Sequence, residues 1–266
     1  MKFLKTKFYL FFLCYCFFSC SEQEKGTPII PDDELDSSTT TEIIYNAGCK
    51  EDKNPVFIEN GGLVLVEFES SNFESTSWKF HKLLSNYSGD GYLVWEGADS
   101  FQEPGKGLLN FKIRITNPGT YRFIWRSYIT EGTNVSEFND SWLKIPDAKH
   151  FYGQKSDGNI VYPHGTIQDP IAASAGQATT DPEGSGKDGW FKIYMNTAST
   201  WHWQSSTSDN DGHSIYAVFE TAGNYTVQVS GRSKEHGIDK FVLFNDSVSQ
   251  NIAISNQTLL SAIICE

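Results

Sequence analysis

The chain of 266 residues is short of most features by which catalytic proteins show themselves. No His-Glu-x-x-His and no Gly-x-Ser-x-Gly occurs, and no cysteine stands with a histidine in a recognisable nucleophile arrangement. One stretch, Gly184-Ser185-Gly186-Lys187, has the look of a phosphate loop, but the first glycine of that motif is missing at the required spacing and Asp188 stands where Ser or Thr is needed. Cations are scarce as well: 21 Lys and Arg, four of them Arg, face 33 Asp and Glu, for a formal charge of −12. Phosphate backbones are bound by clustered cations, so this balance argues against a nucleic-acid partner. Long segments with helical periodicity are also missing. Carboxylates are so numerous that some pair must lie at glycosidase separation by chance, so their number says nothing about hydrolysis.

The only long apolar run is at the start, where MKFLKTKFYLFFLCYCFFSC has a basic head (Lys2, Lys5, Lys7) and an apolar stretch that ends abruptly at Cys20. It is too short for a spanning helix and has the shape of a secretory signal over residues 1–19. Phe17-Phe18-Ser19-Cys20 resembles a bacterial lipobox, which implies lipidation of Cys20; a plain signal peptide with a chance cysteine is the alternative reading. The following SEQEKG resembles the export signal of Bacteroidota-type lipoproteins, which implies an outer-membrane lipid anchor facing the cell surface. Cleavage would take three lysines from the 21 basic residues, leaving 18 against 33 acids and a formal charge of −15. Of the five cysteines, Cys14 and Cys16 would leave with the signal and Cys20 would carry lipid. Cys49 and Cys265 remain, and in an oxidising compartment one disulfide joining the two ends of the folded region is the economical reading.

Residues 20–52 read as a flexible tether, with TPIIPDDELDSSTTTE too poor in apolar side chains to bury anything. Residues 53–247 are rich in Phe, Tyr, Trp, Val and Ile in short alternating runs, broken by Gly, Asn, Asp and Ser. This predicts an all-β sandwich of one domain, with 248–266 as a C-terminal segment tied back by the disulfide. Two runs read as hairpins. In the first, Phe111, Ile113 and Ile115 alternate with polar residues before Asn117-Pro118-Gly119-Thr120, and Tyr121, Phe123 and Trp125 follow. In the second, Ile215, Ala217 and Phe219 precede Tyr225, Val227 and Val229. The echo of GTYRFIWRS in GNYTVQVSGRS, each followed by Asn-Asp-Ser (139–141 and 245–247), fits either two related halves or two turns meeting one requirement.

Three segments in order, LVLVEFESSNF, NPGTYRFIWRS and HGIDKFVLF, resemble family 6 carbohydrate-binding modules with the galactose-binding-like jelly roll. The resemblance spans roughly Val56 to Phe244 and implies a jelly-roll β-sandwich. It also implies a structural calcium held by Glu69, with Glu67, and Asp239, hard oxygen ligands that suit this ion. The alternative makes Glu67 and Glu69 the solvated face of an edge strand. By position, the family's ligand-stacking aromatics match Tyr92 and either Trp201 or Trp203, and His236 stands where a polar Asn is frequent. The stretch from Thr130 to Gly189 is longer than the family's connection and reads as an insertion.

In WHWQSS, alternation puts Trp201 and Trp203 on one face, and the polar Ser205 and Thr207 that continue it favour one indole packed and one exposed. Asp209-Asn210-Asp211-Gly212 starts like an EF-hand loop but has no glutamate at the twelfth position, so a turn is expected. Asn139 with Trp142, in FNDSWLKI, is either hydroxyl-binding equipment or ordinary turn chemistry. The sequence thus predicts a non-catalytic surface lipoprotein that binds a polysaccharide or oligosaccharide and serves a glycan-degrading enzyme or transporter. A glycoside hydrolase or polysaccharide lyase using the insertion, and a protein-binding adhesive lipoprotein, are the rivals.

Overall fold

The computed structural model describes residues 46–50, 52–166, 178–179 and 188–266. The signal segment, Cys20, most of the tether and the Gly184–Lys187 stretch lie outside them. The strands are β1 (Pro55–Ile58), β2 (Leu63–Glu67), β3 (Trp78–His81), β4 (Tyr92–Trp95), β5 (Leu109–Ile115), β6 (Gly119–Ile129), β7 (Asp140–Lys144), β8 (His150–Gln154) and β9 (Ile160–Val161). They continue with β10 (Ala178–Thr179), β11 (Phe191–Tyr194), β12 (His202–Trp203), β13 (Ser206–Thr207), β14 (His213–Phe219), β15 (Gly223–Gly231), β16 (His236–Phe244) and β17 (Ile263–Cys265), with one short helix, α1 (Gln250–Ala253), after β16.

The pairings make two layers. In the front layer β16 lies between β6 on one edge and β2 and β4 on the other, with β3 beside β4. The far edge of β6 takes β14 and β12, then β8 and β9 follow. The back layer runs β17, β1, β5, β15, β7, β11, with β1 parallel to β5 and the other neighbours antiparallel. At one margin β13 pairs with both β11 and β14 and so joins the layers. Strands in sequence cross from layer to layer, β5 back, β6 front, β7 back, β8 front, and again β14 front, β15 back, β16 front, β17 back. The fold is a jelly-roll β-sandwich.

Alternation builds its core. On β5 the residues Leu109, Phe111, Ile113 and Ile115 are buried while Asn110 and Lys112 are exposed, and β14 and β15 repeat the pattern. Phe68 sits between the layers with ring centroids 5.6 Å from Phe111, 6.2 Å from Trp125 and 5.4 Å from Phe241. Such tilted and edge-to-face pairs add about 0.5–1.5 kcal/mol each beyond the area they bury.

The two expected hairpins are not hairpins. β5 pairs with β15 and β1, β6 pairs with β16, β14 and β12, and the NPGT turn carries the chain across the core instead of back along one sheet. TAGN does the same between β14 and β15. Alternation specifies which face is buried but not which strand lies alongside, and that is why the error arose. The echo between the segments has a physical cause: Tyr121 donates to the Asn117 carbonyl at 2.7 Å and Tyr225 to the Thr221 carbonyl at 2.7 Å, so each crossing is closed by a tyrosine four residues past its acceptor. The Asn-Asp-Ser triplets are unlike, since Asp140 and Ser141 begin β7 while Asn245 to Ser247 form a turn after β16. Part of the stretch read as an insertion belongs to the sandwich, because β7 and β8 are paired on both edges.

The first crossing is also held by Glu59, 2 % exposed, whose carboxylate accepts from the amides of Gly62, Thr116 and Asn117, from the Thr116 hydroxyl and from Asn117 Nδ2. Burial pushes this carboxyl up, but the donors outweigh it and hold its pKa below the usual range. At the other end of the chain Cys49 and Cys265 are joined, with Cα atoms 5.6 Å apart across a separation of 216 residues. In the chain-entropy model a loop of that length contributes up to about 5 kcal/mol.

Replacing Glu59 by Ala should cost about 2–3 kcal/mol at neutral pH, because several buried donors lose a charged acceptor. A group whose folded pKa is lowered stabilises above its unfolded pKa and ceases to do so as pH falls through the folded value. The gap between parent and Glu59→Ala urea midpoints should therefore narrow in acid; equal midpoints at pH 7 would refute the role of Glu59.

Candidate functional site

Two places on the sandwich surface gather chemistry-bearing side chains. The first is the outer face of the front layer, where Glu67, Arg126, Asp239 and Lys240 meet beside an aromatic cluster. The LVLVE strand ends at Glu67 and the chain turns into a 3-10 turn over Phe68–Ser70, so Glu69 lies in that turn and not on the strand as expected. Both glutamates nevertheless reach one spot under the Ser88–Gly91 loop. Ser88 Oγ donates to Glu67 at 2.9 Å and to Asp239 at 3.0 Å, and the amides of Asp90 and Gly91 donate to Glu69 Oε1 at 3.2 and 3.3 Å. Arg126 reaches Asp239 at 2.5 Å. Burial, then the charge of Asp239, pushes Glu67 up to about 7; burial, then the charge of Glu67, pushes Glu69 up to about 9. Glu69 Oε2 is buried with no partner. Three hard-oxygen groups are thus brought together at an energetic cost that a cation or a proton would relieve. Arg126 already takes one side of Asp239, and among the described residues no group of three acid, imidazole or thiol side chains converges with metal-binding geometry.

Next to this nest Tyr92 and Trp201 do meet, edge to face at 5.0 Å, with Tyr128 5.2 Å from the indole and the Arg126 guanidinium 5.3 Å from it. They are closed, however. Tyr92 is 2 % exposed and Trp201 9 %, its indole N–H spent on the Ser85 carbonyl at 3.0 Å. Trp203 is half-buried over the Leu65, Ile124, Val242 and Phe244 patch of the same outer face. The two indoles share a face, as alternation requires, with Trp201 packed and Trp203 the more open.

The remaining expected ligand contacts lie elsewhere. His236 is fully buried: Nδ1 is 2.8 Å from Ser141 Oγ, the ring is 5.7 Å from Trp125, and Nε2 has no partner. It opens β16, and its ring belongs to the interior, so it cannot touch a ligand. Trp142 is also fully buried, donating to the Ser100 carbonyl at 2.9 Å beneath Arg232 and Phe101. Asn139 is 6 % exposed and holds the loop before β7 to the end of β11, donating to the carbonyls of Val135 at 2.9 Å and Met195 at 2.6 Å.

Asn139 leads to the second place, a cleft of about 620 Å³ on the outer face of the back layer. On β11 Phe191 and Ile193 face the core, so Lys192 and Tyr194 face out, and register sets Tyr194 opposite Asp140. Asn139, Asn196, Gln204, Asp209 and Asn210 complete the wall, so WHWQSSTSDNDGH contributes to a site through its polar half. The Asp209–Gly212 segment is a turn, as expected, and Asp211 is paired with Lys155 at 2.6 Å. The loops beside the cleft hold strained backbone: φ is +55° at Phe138, +65° at Ser208 and +61° at Asn210, a region side chains enter at some cost and keep where surroundings impose it. Both carboxylates of the cleft are matched by cations, Asp140 by Arg232 and Asp209 by Lys192.

No family model matches the chain, and no curated protein matches it. Among solved structures it is similar to a GH26-CBM35 β-(1,4)-mannanase of Podospora anserina, 12 % identical with a TM-score of 0.41, over 74 % of this chain and 30 % of that one. It is similar to the CBM35 of Cellvibrio japonicus Abf62, 14 % identical with a TM-score of 0.37, over 69 % of this chain and 93 % of that one. An isomalto-dextranase of Arthrobacter globiformis T6 is 14 % identical with a TM-score of 0.37, over 70 % of this chain and 24 % of that one. The chain thus spans less than a third of the two enzymes.

Sequence reasoning missed Lys192, Tyr194, Asn196 and Gln204. Their signal was the alternation in FKIYMN, which puts a lysine and a tyrosine on the wet face of a strand; what it could not give was that β7 and β13 lie on either side.

His236 generates its own pH prediction. Burial holds its pKa down at about 3 against 6.5 for the free side chain. Between those values the unfolded chain binds a proton that the folded chain refuses, so the contribution is full above pH 6.5 and is lost as pH falls towards 3. His236→Phe should show a shallower fall in urea midpoint from pH 6.5 to 4 than the parent. Identical slopes would show that the imidazole is not held neutral.

Proposed function

We propose that this chain binds carbohydrate without cleaving it, in the cleft lined by Tyr194, Asn139, Asn196, Gln204, Asp209 and Asn210. The observation that carries the reading is the composition of that wall: an outward tyrosine ring set among amides, hydroxyls and a lysine–aspartate pair. A pyranose offers an apolar C–H face and a rim of hydroxyls, and an aromatic ring with a few fixed polar groups is the complementary surface. Glycosidic hydrolysis needs one carboxyl to give a proton and another to act as base or nucleophile. The cation held against each cleft carboxylate favours binding over that chemistry. The ligand class is a polysaccharide or oligosaccharide, and a module of this kind serves a glycan-degrading enzyme or transporter. An outer-membrane anchor through Cys20 rests on the lipobox-like sequence.

Calcium, held by Glu67, Glu69 and Asp239, completes the proposal as a structural ion. Its support is the partnerless Oε2 of Glu69 beside two further carboxylates, which would have to close on the ion from the looser arrangement described above. It would fix the Ser88–Gly91 loop against β2 and β16, with no part in ligand chemistry.

In calorimetric titration against a panel of soluble plant and bacterial glycans, Tyr194→Ala should weaken binding at least tenfold and Gln204→Ala several-fold, with melting temperatures unchanged. No new reducing ends or unsaturated products should appear. Equal affinity in Tyr194→Ala, or no glycan bound by the parent, would overturn the assignment. Separately, calcium added after chelation should raise the melting temperature by about 5 °C or more at saturating ion, and Glu69→Gln should abolish the rise. A parent indifferent to calcium would remove the ion from the account.

A further inference from the structure

The outer face of the front layer carries an arginine that has no acid partner among the described residues. Of the four arginines, Arg114 is paired with Glu266, Arg126 with Asp239 and Arg232 with Asp140. Arg122, half-buried on β6, has no ion pair among the described residues. Its guanidinium donates to two neutral acceptors, Gln250 Oε1 at 2.6 Å and Ser214 Oγ at 3.1 Å, and its Nε is buried without a partner. Register places Arg122 between Tyr216 of β14 and Phe244 of β16, and the three line a cavity of about 530 Å³ with Thr120, Asn245 and Asp246. Tyr216 is half-buried, its ring stacked on that of Tyr152 at 5.5 Å with 20° between the planes. The stack stiffens the ring at the cavity wall.

We propose that this cavity is a second binding site, for an acidic oligosaccharide whose uronate carboxylate meets Arg122 and whose ring lies on Tyr216. Each part of the wall selects one part of that ligand. A guanidinium keeps its charge at any working pH and presents a planar fork suited to a carboxylate. A tyrosine ring suits the C–H face of a sugar. Asp246, exposed on the rim, accepts hydrogen bonds from hydroxyls and disfavours ligands that carry acid and no hydroxyl. A uronate has the carboxylate, the apolar face and the vicinal hydroxyls together. The site lies on the front layer and the Tyr194 cleft on the back layer, so the two proposals stand or fall separately.

The test is calorimetric titration of the full chain with tetragalacturonate and with the same tetramer after reduction of its carboxyls to alcohols. The acidic tetramer should bind at least tenfold more tightly than the reduced one, and the preference should shrink as salt rises. Arg122→Gln and Tyr216→Ala should each weaken the acidic tetramer at least tenfold while Tyr194→Ala leaves it unchanged. Arg122→Lys, which keeps charge but loses the fork, should fall between, and unchanged melting temperatures would exclude a folding defect. Equal affinity for the two tetramers, no binding of either, loss through Tyr194→Ala alone, or tighter binding of a peptide C-terminal carboxylate would overturn the proposal.

Discussion

The aromatic rings between the layers decide what the surface can be. Phe68, Phe111, Phe123, Trp125 and Phe241 touch one another at centroid distances of 5.2–6.2 Å and hold the two sheets at a fixed separation. Strands deliver alternate residues to opposite faces, so committing one parity to that core commits the other to solvent. Phe123 and Trp125 inside put Arg122 and Arg126 outside; Phe191 and Ile193 inside put Lys192 and Tyr194 outside. A slip of one residue on β6 would bury two guanidinium groups and expose three rings. The outward chemistry is therefore as strictly registered as the core.

Charge is handled at the same positions. Arg126, within β6 of the front layer, and Arg232, just after β15 of the back layer, each neutralise a largely buried aspartate, Asp239 and Asp140. An unpaired buried carboxylate would be costly, whereas a paired one with further hydrogen bonds holds two elements in place. Asp140 also accepts from Ser233 at 2.6 Å, so it joins β7 to the turn before β16. The nest under Ser88 is different, because Lys240 and Arg126 act on Glu67 without an ion pair to it and no donor reaches Glu69 Oε2. The imbalance there is local and survives although the net charge of the whole chain is already negative.

Much of the sandwich was legible in the sequence, and the unread part has one cause. Alternation identified β5, β6, β14 and β15 and their buried residues, and the cysteine count led to Cys49 and Cys265. It could not tell a hairpin from a crossing, since Asn117 to Thr120 would serve either; the decisive partners, Glu59 and the Tyr121 hydroxyl, are 58 residues before Asn117 in the first case and four residues after it in the second. Pattern resemblance brought Glu67, Glu69 and Asp239 to one place, and Tyr92 to Trp201. It failed on exposure, because Tyr92 and Trp201 cover each other and His236 points inward. Burial of a side chain depends on what lies above it, and here much of that cover comes from distant segments, Trp201 over Tyr92 and Trp125 beside His236.

The same argument explains why an open cleft is found on each layer and not only at the loop rim. A jelly roll whose strands alternate between sheets puts no connection across the middle of either outer face, so each face is covered only by what its flanking loops and helix supply. On the front layer α1 and Trp203 cover the patch around Val242, leaving the stretch by Tyr216 open. On the back layer Trp142 is sealed by Ser100 and Arg232, and the neighbouring Tyr194 is left at a cleft. Ligand positions are in this sense what remains after the loops have closed the most apolar parts of each face. The polar character of the Tyr194 cleft follows directly, since the apolar side chains were the ones worth covering.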